Sequence, residues 1–250
     1  MRYKVTVAYD GSKFIGWQNN PAGLSVQEKI TKALKIIYKE DLFIVGSGRT
    51  DKGVSALGQV FHFDAPFLID SKRLIYALNN LVHPYIHIVN IEVVDASFHS
   101  RYHALYKSYR YSIELGPYNV LEADHITQLN KPLDLESMKA CAQLFLGTHD
   151  FTSFNTSTLE EVNDQVRTIY QIDLVMEGSI LQIDITGNGF LRYMIRMLVG
   201  TMLEVGLGRL SLKQVATMLA SQRKGTCRYK AAANGLKLVH VEYHKSFETD

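Results

Sequence analysis

Hydrophobic positions along this chain recur at two spacings, every second residue or every third to fourth, and the changes of spacing mark out its elements. Arg2 to Tyr9 alternates, with Tyr3, Val5, Val7 and Tyr9 on one side, which predicts a strand. Asp10-Gly11-Ser12 turns the chain into Phe14-Ile15-Gly16-Trp17-Gln18, whose tryptophan reads as a packing residue. Val26, Ile30, Ala33, Leu34 and Ile37 then line one face of a helix, opened by a capping box of Ser25 and Glu28. Leu42-Phe43-Ile44-Val45 and Val60-Phe61-His62-Phe63 are rich in β-branched and aromatic residues and read as strands. A helix over Ser71 to Leu81 and a strand over Ile86 to Val94 follow. A further strand, Lys107 to Ile113, sets Lys107, Tyr109, Tyr111 and Ile113 opposite Ser108, Arg110 and Ser112.

Pro117 to Lys131 is polar and irregular, and predicts a boundary between two halves, 1–116 and 117–250. In the second half, Leu135 to Phe145 is helical, and a charged loop over 156–164 is expected to be mobile. Arg167 to Met176 and Ser179 to Thr186 form a hairpin turned by Glu177-Gly178. Glycines then bound a helix of about five turns between Gly187 and Gly206, apolar on most sides. Arg196 in its middle is costly to bury unless it meets an anion or snorkels to the surface. Ser211 and Gln214 cap another helix, and Gly235 to Tyr243 closes as a strand. Each half thus runs strand, helix, strands, helix, strand: two similar α/β units.

Composition adds little to this until it is read locally. The 250 residues carry a formal charge of only +2. Yet Val205 to Val241 contains no acid while holding Arg209, Lys213, Arg223, Lys224, Arg228, Lys230 and Lys237. Ala96 to Ile113 is also acid-free, with His99, Arg101, His103, Lys107 and Arg110 among Phe98, Tyr102, Tyr106, Tyr109 and Tyr111. Cations interleaved with rings suit a polyanion with stackable bases, although solvated basic faces have the same composition. Cys141 and Cys227 lie far apart, with neither disulfide nor metal spacing. No signal-peptide core and no membrane-length apolar run is present, so a cytoplasmic protein is expected.

Candidate chemistry concentrates between the two strand-like runs, in Gly46-Ser47-Gly48-Arg49-Thr50-Asp51-Lys52-Gly53 and onward to Phe63. Arg49 and Asp51 are two apart, so on an extended backbone they share a side and Thr50 faces away. Glycines let the main chain approach a ligand closely. Neither a phosphate-loop nor a dinucleotide glycine pattern is present. An ordinary turn with a solvated Arg–Asp pair fits the same residues.

The wider run Gly48-Arg49-Thr50-Asp51-x-Gly53-Val54-x-Ala56-x-Gly58-Gln59-Val60 closely resembles the catalytic loop of the TruA-type tRNA pseudouridine synthases. Four further stretches resemble the same family: Tyr9-Asp10-Gly11-Ser12-x-Phe14-x-Gly16-Trp17-Gln18; Phe98-His99-x-Arg101-Tyr102 with Lys107-x-Tyr109-Arg110-Tyr111; His149-Asp150-Phe151-Thr152-Ser153-Phe154; and the helix around Arg196. The resemblance covers nearly the whole chain. It implies two RRM-like α/β domains, their antiparallel or mixed sheets flanked by helices and facing an active-site cleft. It implies Asp51 as the essential carboxylate, Tyr109 as the active-site tyrosine and Arg196 as the catalytic basic residue. Arg49 is implied to hold the flipped nucleotide or fill its place, with Lys107, Arg101, Tyr109 and Arg110 on the RNA.

The implied reaction breaks a C1′–N1 glycosidic bond, turns the uracil and rejoins it through C5. It needs no redox step or phosphate transfer, hence no cofactor and no metal. Asp51, attacking C1′ or removing the C2′ proton, must be ionised, and an arginine partner favours that form; Arg196 is the best candidate. The family implies uridines 38, 39 and 40 of the anticodon arm as targets, and a homodimer bridged by tRNA. Two departures sit in the first motif, Lys52 and Ser55 where Ala and His are usual, and Ala231-Ala232-Ala233-Asn234-Gly235-Leu236 replaces Ala-Pro-Ala-x-Gly-Leu. They leave open a synthase for other uridines or another RNA. A non-catalytic RNA-binding protein is the rival from another class. A metal hydrolase using His62, His83, His87, His99 or His103 lacks a ligand spacing.

Overall fold

The structure is a computed structural model that describes residues 1–244. In chain order the elements are β1 (Arg2–Tyr9), α1 (Val26–Tyr38), β2 (Ile44–Gly46), β3 (Ser55–Asp64), α2 (Ser71–Val82), β4 (Ile86–Val94) and β5 (Ala104–Glu114). Then come β6 (Thr127–Gln128), α3 (Leu135–Gln143), β7 (Gly147–Asp150), β8 (Val166–Glu177), β9 (Ile180–Gly187), α4 (Met194–Gly206), α5 (Leu212–Ser221) and β10 (Leu236–Tyr243). The fold is α/β with mostly antiparallel strands and flanking helices.

Two compact units emerge, Met1–Lys107 together with the chain from Lys237, and Ser108–Leu236. The division falls inside β5 rather than at 116/117, and β10 groups with the first unit. Pairing far apart in sequence explains both. β10 runs parallel to β3, with Lys237 opposite Ser55 and Leu238 opposite Ala56. The stretch after Pro117 is no free linker, because β6 pairs with β5 (Thr127 opposite Ile113) and the Asn130 N–H donates to the Glu114 carbonyl at 3.0 Å. The second expected half also includes 245–250, which lie outside the described residues.

In the first unit β1 lies between β3 and β4, antiparallel to both. Its odd-numbered residues are buried and its even-numbered ones are not, as alternation predicts. Helix α1 buries Val26, Ile30, Ala33, Leu34 and Tyr38, and the Ser25 hydroxyl accepts from the Glu28 N–H at 3.0 Å. Each large aliphatic side chain so buried stabilises the unit by about 1.5–3 kcal/mol.

The second unit sets β7, β8 and β9 antiparallel in succession. The hairpin turn is Gly178-Ser179, one residue later than expected, with Gly178 at a φ of 62°. Helix α4 buries every residue except Arg196 and Glu204. It starts at Met194, well after Gly187, so it is shorter than expected and Arg196 is its third residue rather than its middle. Tyr193 takes a left-handed φ of 62°, and the residues before it are tied elsewhere. The Asn188 N–H donates to the Thr168 carbonyl at 3.0 Å, and the Arg192 carbonyl accepts from Thr156 N–H at 3.1 Å. Apolar periodicity continued through a corner that the backbone turns. The charged loop before β8 is pinned at its ends by a buried knot, in which Asn155 Nδ2 donates to Gln165 Oε1 at 2.8 Å and Lys224 Nζ to both side-chain oxygens.

Candidate active site

The Asp51 loop hangs between β2 and β3, which pair with Gly46 opposite Phe61. Buried Ser47 fixes its start: the Oγ donates to Gln59 Oε1 at 2.6 Å and the N–H to the Val60 carbonyl at 2.7 Å. Gln59 Nε2 donates on to the Gly48 carbonyl at 3.0 Å, and Lys107 Nζ to the Ser47 carbonyl at 2.6 Å. Thr50 turns inward, its hydroxyl 2.8 Å from the Tyr9 hydroxyl, while Arg49 is exposed and Asp51 half-buried. This is the alternation that the two-residue spacing predicts. Burial pushes the Tyr9 phenol well above its ordinary value, so it stays a neutral partner. The Val54 N–H returns to the Asp51 carbonyl at 3.1 Å, with Gly53 at a φ of 81° closing the turn.

The segment after β1 forms the floor of this loop. Trp17 N–H donates to the Thr50 carbonyl at 3.1 Å, and Gly11 N–H to Ser55 Oγ at 3.0 Å. At Gly16 (φ 118°) a Cβ would stand 2.7 Å from the Thr50 carbonyl oxygen, and at Gly46 one would stand 2.7 Å from the Trp17 indole nitrogen. The approach of main chain to main chain at Gly16 therefore requires glycine. Ser55, one of the two departures from the family pattern, serves here as an acceptor for backbone.

Arg101 also belongs to the first unit. It is exposed, its guanidinium 6.0 Å from the ring centroid of Tyr102, which itself stacks on His99 at 4.3 Å. His62 is buried against Ser100, ring nitrogen to hydroxyl at 2.9 Å, and burial pulls its pKa down to about 4. It therefore stays neutral and structural at physiological pH. No group of three His, Cys, Asp or Glu side chains able to hold a metal ion occurs among the described residues.

Tyr109, Arg110 and Arg196 lie in the second unit. Tyr109 is buried, its ring edge-on to Phe190 with centroids 5.4 Å apart. Arg110 makes a two-pronged pair with Asp184, at 2.7 and 2.8 Å, so its fork is occupied. Arg196 Nε donates to the Ala231 carbonyl at 2.9 Å, and the Ala231 N–H to the Arg196 carbonyl at 2.8 Å. Its guanidinium lies 5.2 Å from the centroid of the Tyr193 ring, a contact worth about 0.5–1 kcal/mol at an exposed site. Tyr111, under the same segment, gives its hydroxyl to the Ala232 carbonyl at 2.9 Å; burial pushes its pKa up to about 12, against the opposing field of Arg196.

Sequence reasoning gave no role to Ser47, Gln59, Tyr9 or Tyr193, and it placed Lys230 only among the cations of an acid-free stretch. The first three sit within or beside quoted motifs, but their partners lie on other strands. For Tyr193 the available signal was a lone ring in the run around Arg196, with nothing along the chain to link it to Lys230.

A family model described as tRNA pseudouridine synthase matches residues 141–244. The chain is 40% identical over 247 residues to tRNA pseudouridine synthase A of Bacillus subtilis (strain 168), covering 97% of this chain and 99% of that protein. It is likewise 40% identical over 248 residues to the protein of that name from Streptococcus pneumoniae (strain Taiwan19F-14), covering 98% and 99%. The one from Bacillus licheniformis is 39% identical over 246 residues, covering 97% and 99%. These relatives span the chain from end to end. This chain belongs to the TruA-type tRNA pseudouridine synthase family, and it is an isomerase.

Proposed function

We propose that this isomerase converts uridine to pseudouridine at positions 38, 39 and/or 40 of the tRNA anticodon stem-loop, with Asp51 as the essential carboxylate. The observation that carries the reading is end-to-end similarity to proteins named tRNA pseudouridine synthase A. Retention of Gly48-Arg49-Thr50-Asp51 in a loop braced through Ser47, Thr50 and Gly53 supports the role of the carboxylate.

Asp51 acts at the sugar, either attacking C1′ or taking the C2′ proton, as the C1′–N1 bond breaks. The released uracil turns and C5 bonds to C1′, which displaces the Asp51 carboxylate or returns to C2′ the proton it took; the C5 proton is then lost to solvent through a base, for which Tyr109 is the candidate. Arg196 is the basic residue of the site. Uridine in a stem must leave the stack, at about a few kcal/mol, and exposed Arg49 is placed beside Asp51 in sequence to hold the displaced nucleotide. Arg101 and Lys107 contribute positive charge toward the RNA, while the charge of Arg110 is balanced by Asp184, which leaves its ordered side chain as a polar contact. The working form is a homodimer in the cytoplasm, which sedimentation of the free chain and of its tRNA complex checks.

Tritium release from tRNA labelled at C5 of uridine tests the reaction. Wild type releases tritium and Asp51→Ala does not, with a turnover loss on the order of 10³-fold or more. Release from sites other than 38–40 on mapping supports the second reading, a synthase for other uridines, which the departures at Lys52 and Ser55 motivate. Binding without release across several tRNAs would overturn the catalytic reading.

A further inference from the structure

Three cations converge on one ring in the second unit, and the reaction as proposed uses only one of them. The Lys230 ammonium lies 4.5 Å from the centroid of Tyr193, and the Arg192 and Arg196 guanidinium carbons each lie 5.2 Å from it. All three charges therefore fall within about one Debye length of one another at 0.1 M salt, about 10 Å, and they repel. The start of α4 at Met194 adds the positive end of a helix dipole to the same corner. Among the described residues neither Arg192 nor Lys230 has a carboxylate partner.

The corner is built rather than a chance of surface side chains. A Cβ on Gly200 would stand 2.8 Å from the backbone nitrogen of Lys230 and 2.9 Å from that of Ala231, so the 229–231 backbone lies flat on α4. The paired hydrogen bonds between Arg196 and Ala231 hold it there. Arg192 is fixed by its carbonyl on Thr156 N–H and its own N–H on Ser157 Oγ, at 3.1 and 3.3 Å. Lys230 also borders a groove of about 260 Å³ whose lining includes Lys131, Tyr229 and the Arg209–Glu204 pair at 3.4 Å.

We propose that Arg192 and Lys230, posed on the Tyr193 ring, clamp one backbone phosphate of the substrate RNA. The assignment rests on the reading of this chain as a tRNA-modifying enzyme. The ring fixes where the cations stand, their mutual repulsion makes an anion welcome, and a phosphodiester is the anion that the substrate brings in fixed register.

The test is the salt dependence of tRNA binding from about 50 to 200 mM salt, in wild type, Arg192→Gln/Lys230→Gln, Lys230→Arg and, as a cation elsewhere, Lys139→Gln. Loss of one phosphate contact is expected to lower the slope of log K against log salt by about 0.7–0.9, and to weaken binding about tenfold near physiological salt. Lys230→Arg keeps the wild-type slope, and so does Lys139→Gln. An unchanged slope in the double variant, or an equal loss in Lys139→Gln, overturns the proposal. Single Arg192→Gln, on an exposed side chain, reads the same slope should the double variant not fold. Failure of wild type to bind tRNA at any salt would instead overturn the functional reading beneath it.

Discussion

The loop around Asp51 and the corner around Tyr193 both carry charged side chains on irregular backbone, and they are held by different means. The loop hangs mainly from neutral donors and acceptors: Ser47 on Gln59, Gln59 on Gly48, Thr50 on Tyr9, Trp17 on Thr50, with a single ammonium, Lys107, on a carbonyl. The corner is held by two hydrogen bonds between Arg196 and Ala231, one from the guanidinium and one from the Ala231 N–H, and by three cations on a ring. Neutral buried hydrogen bonds fix geometry and are insensitive to salt. Exposed charge fixes less and responds to ions and to ligands. The division suits a carboxylate that must be aimed and a corner that must meet a polyanion.

The sharpest way to break this contrast is to add one methyl group to each region. Gly16→Ala forces a Cβ to within 2.7 Å of the Thr50 carbonyl from a left-handed φ, and should cost about 1–3 kcal/mol by thermal unfolding. Displacing the loop by a fraction of an ångström should also lower kcat by about tenfold to a hundredfold, with tRNA affinity largely kept. Gly200→Ala pushes 229–231 off α4 and should cost a similar stability, but its functional loss should appear in tRNA affinity. If Gly16→Ala weakens binding while Gly200→Ala spares it, the contrast between the two regions is wrong.

Next in size is Thr50→Val, which leaves the buried Tyr9 hydroxyl without its 2.8 Å partner and should destabilise by about 1–3 kcal/mol in chemical denaturation. An independent check lies in the neutral, buried histidine of β3 in the first unit. His62 titrates near 4 when folded, against an ordinary 6.5, so the unfolded chain binds more protons between those values. Its contribution is complete above about pH 6.5 and is lost as pH falls toward 4, so wild type should lose more stability than His62→Gln over that window. The smallest effect is expected from Arg110→Gln. Its pair with Asp184 is 38% and 37% exposed, so unfolding should shift by no more than about 1 kcal/mol.

Much of this was legible in the chain. Alternation located β1, β4 and β10 nearly to the residue, because a strand with one buried face must alternate. Capping residues located α1 and α5 for a similar reason: Ser25 and Ser211 satisfy N–H groups three residues away, a purely local requirement. The candidate loop was visible through its glycines and the Arg49–Asp51 spacing, and the inward turn of Thr50 followed from period two. What misled was apolar continuity. Gly187 to Gly206 reads as one long helix because Phe190 and Leu191 carry the apolar pattern across the corner; the backbone bonds of Asn188 and Arg192 and the left-handed Tyr193 break it.

The sequence by itself determined the elements, the loop that carries Asp51 and the family to which the chain belongs, since each is written in residues close together along the chain. Tertiary structure decided where the final strand pairs, which residues brace Thr50 and Ser47, that Arg110 is occupied by Asp184, and that Arg192, Arg196 and Lys230 share one ring. Those facts depend on partners far apart in sequence, such as Lys230 on Gly200 or Gly11 on Ser55. Periodicity records which face of an element is buried, and it carries no information on what that face is buried against.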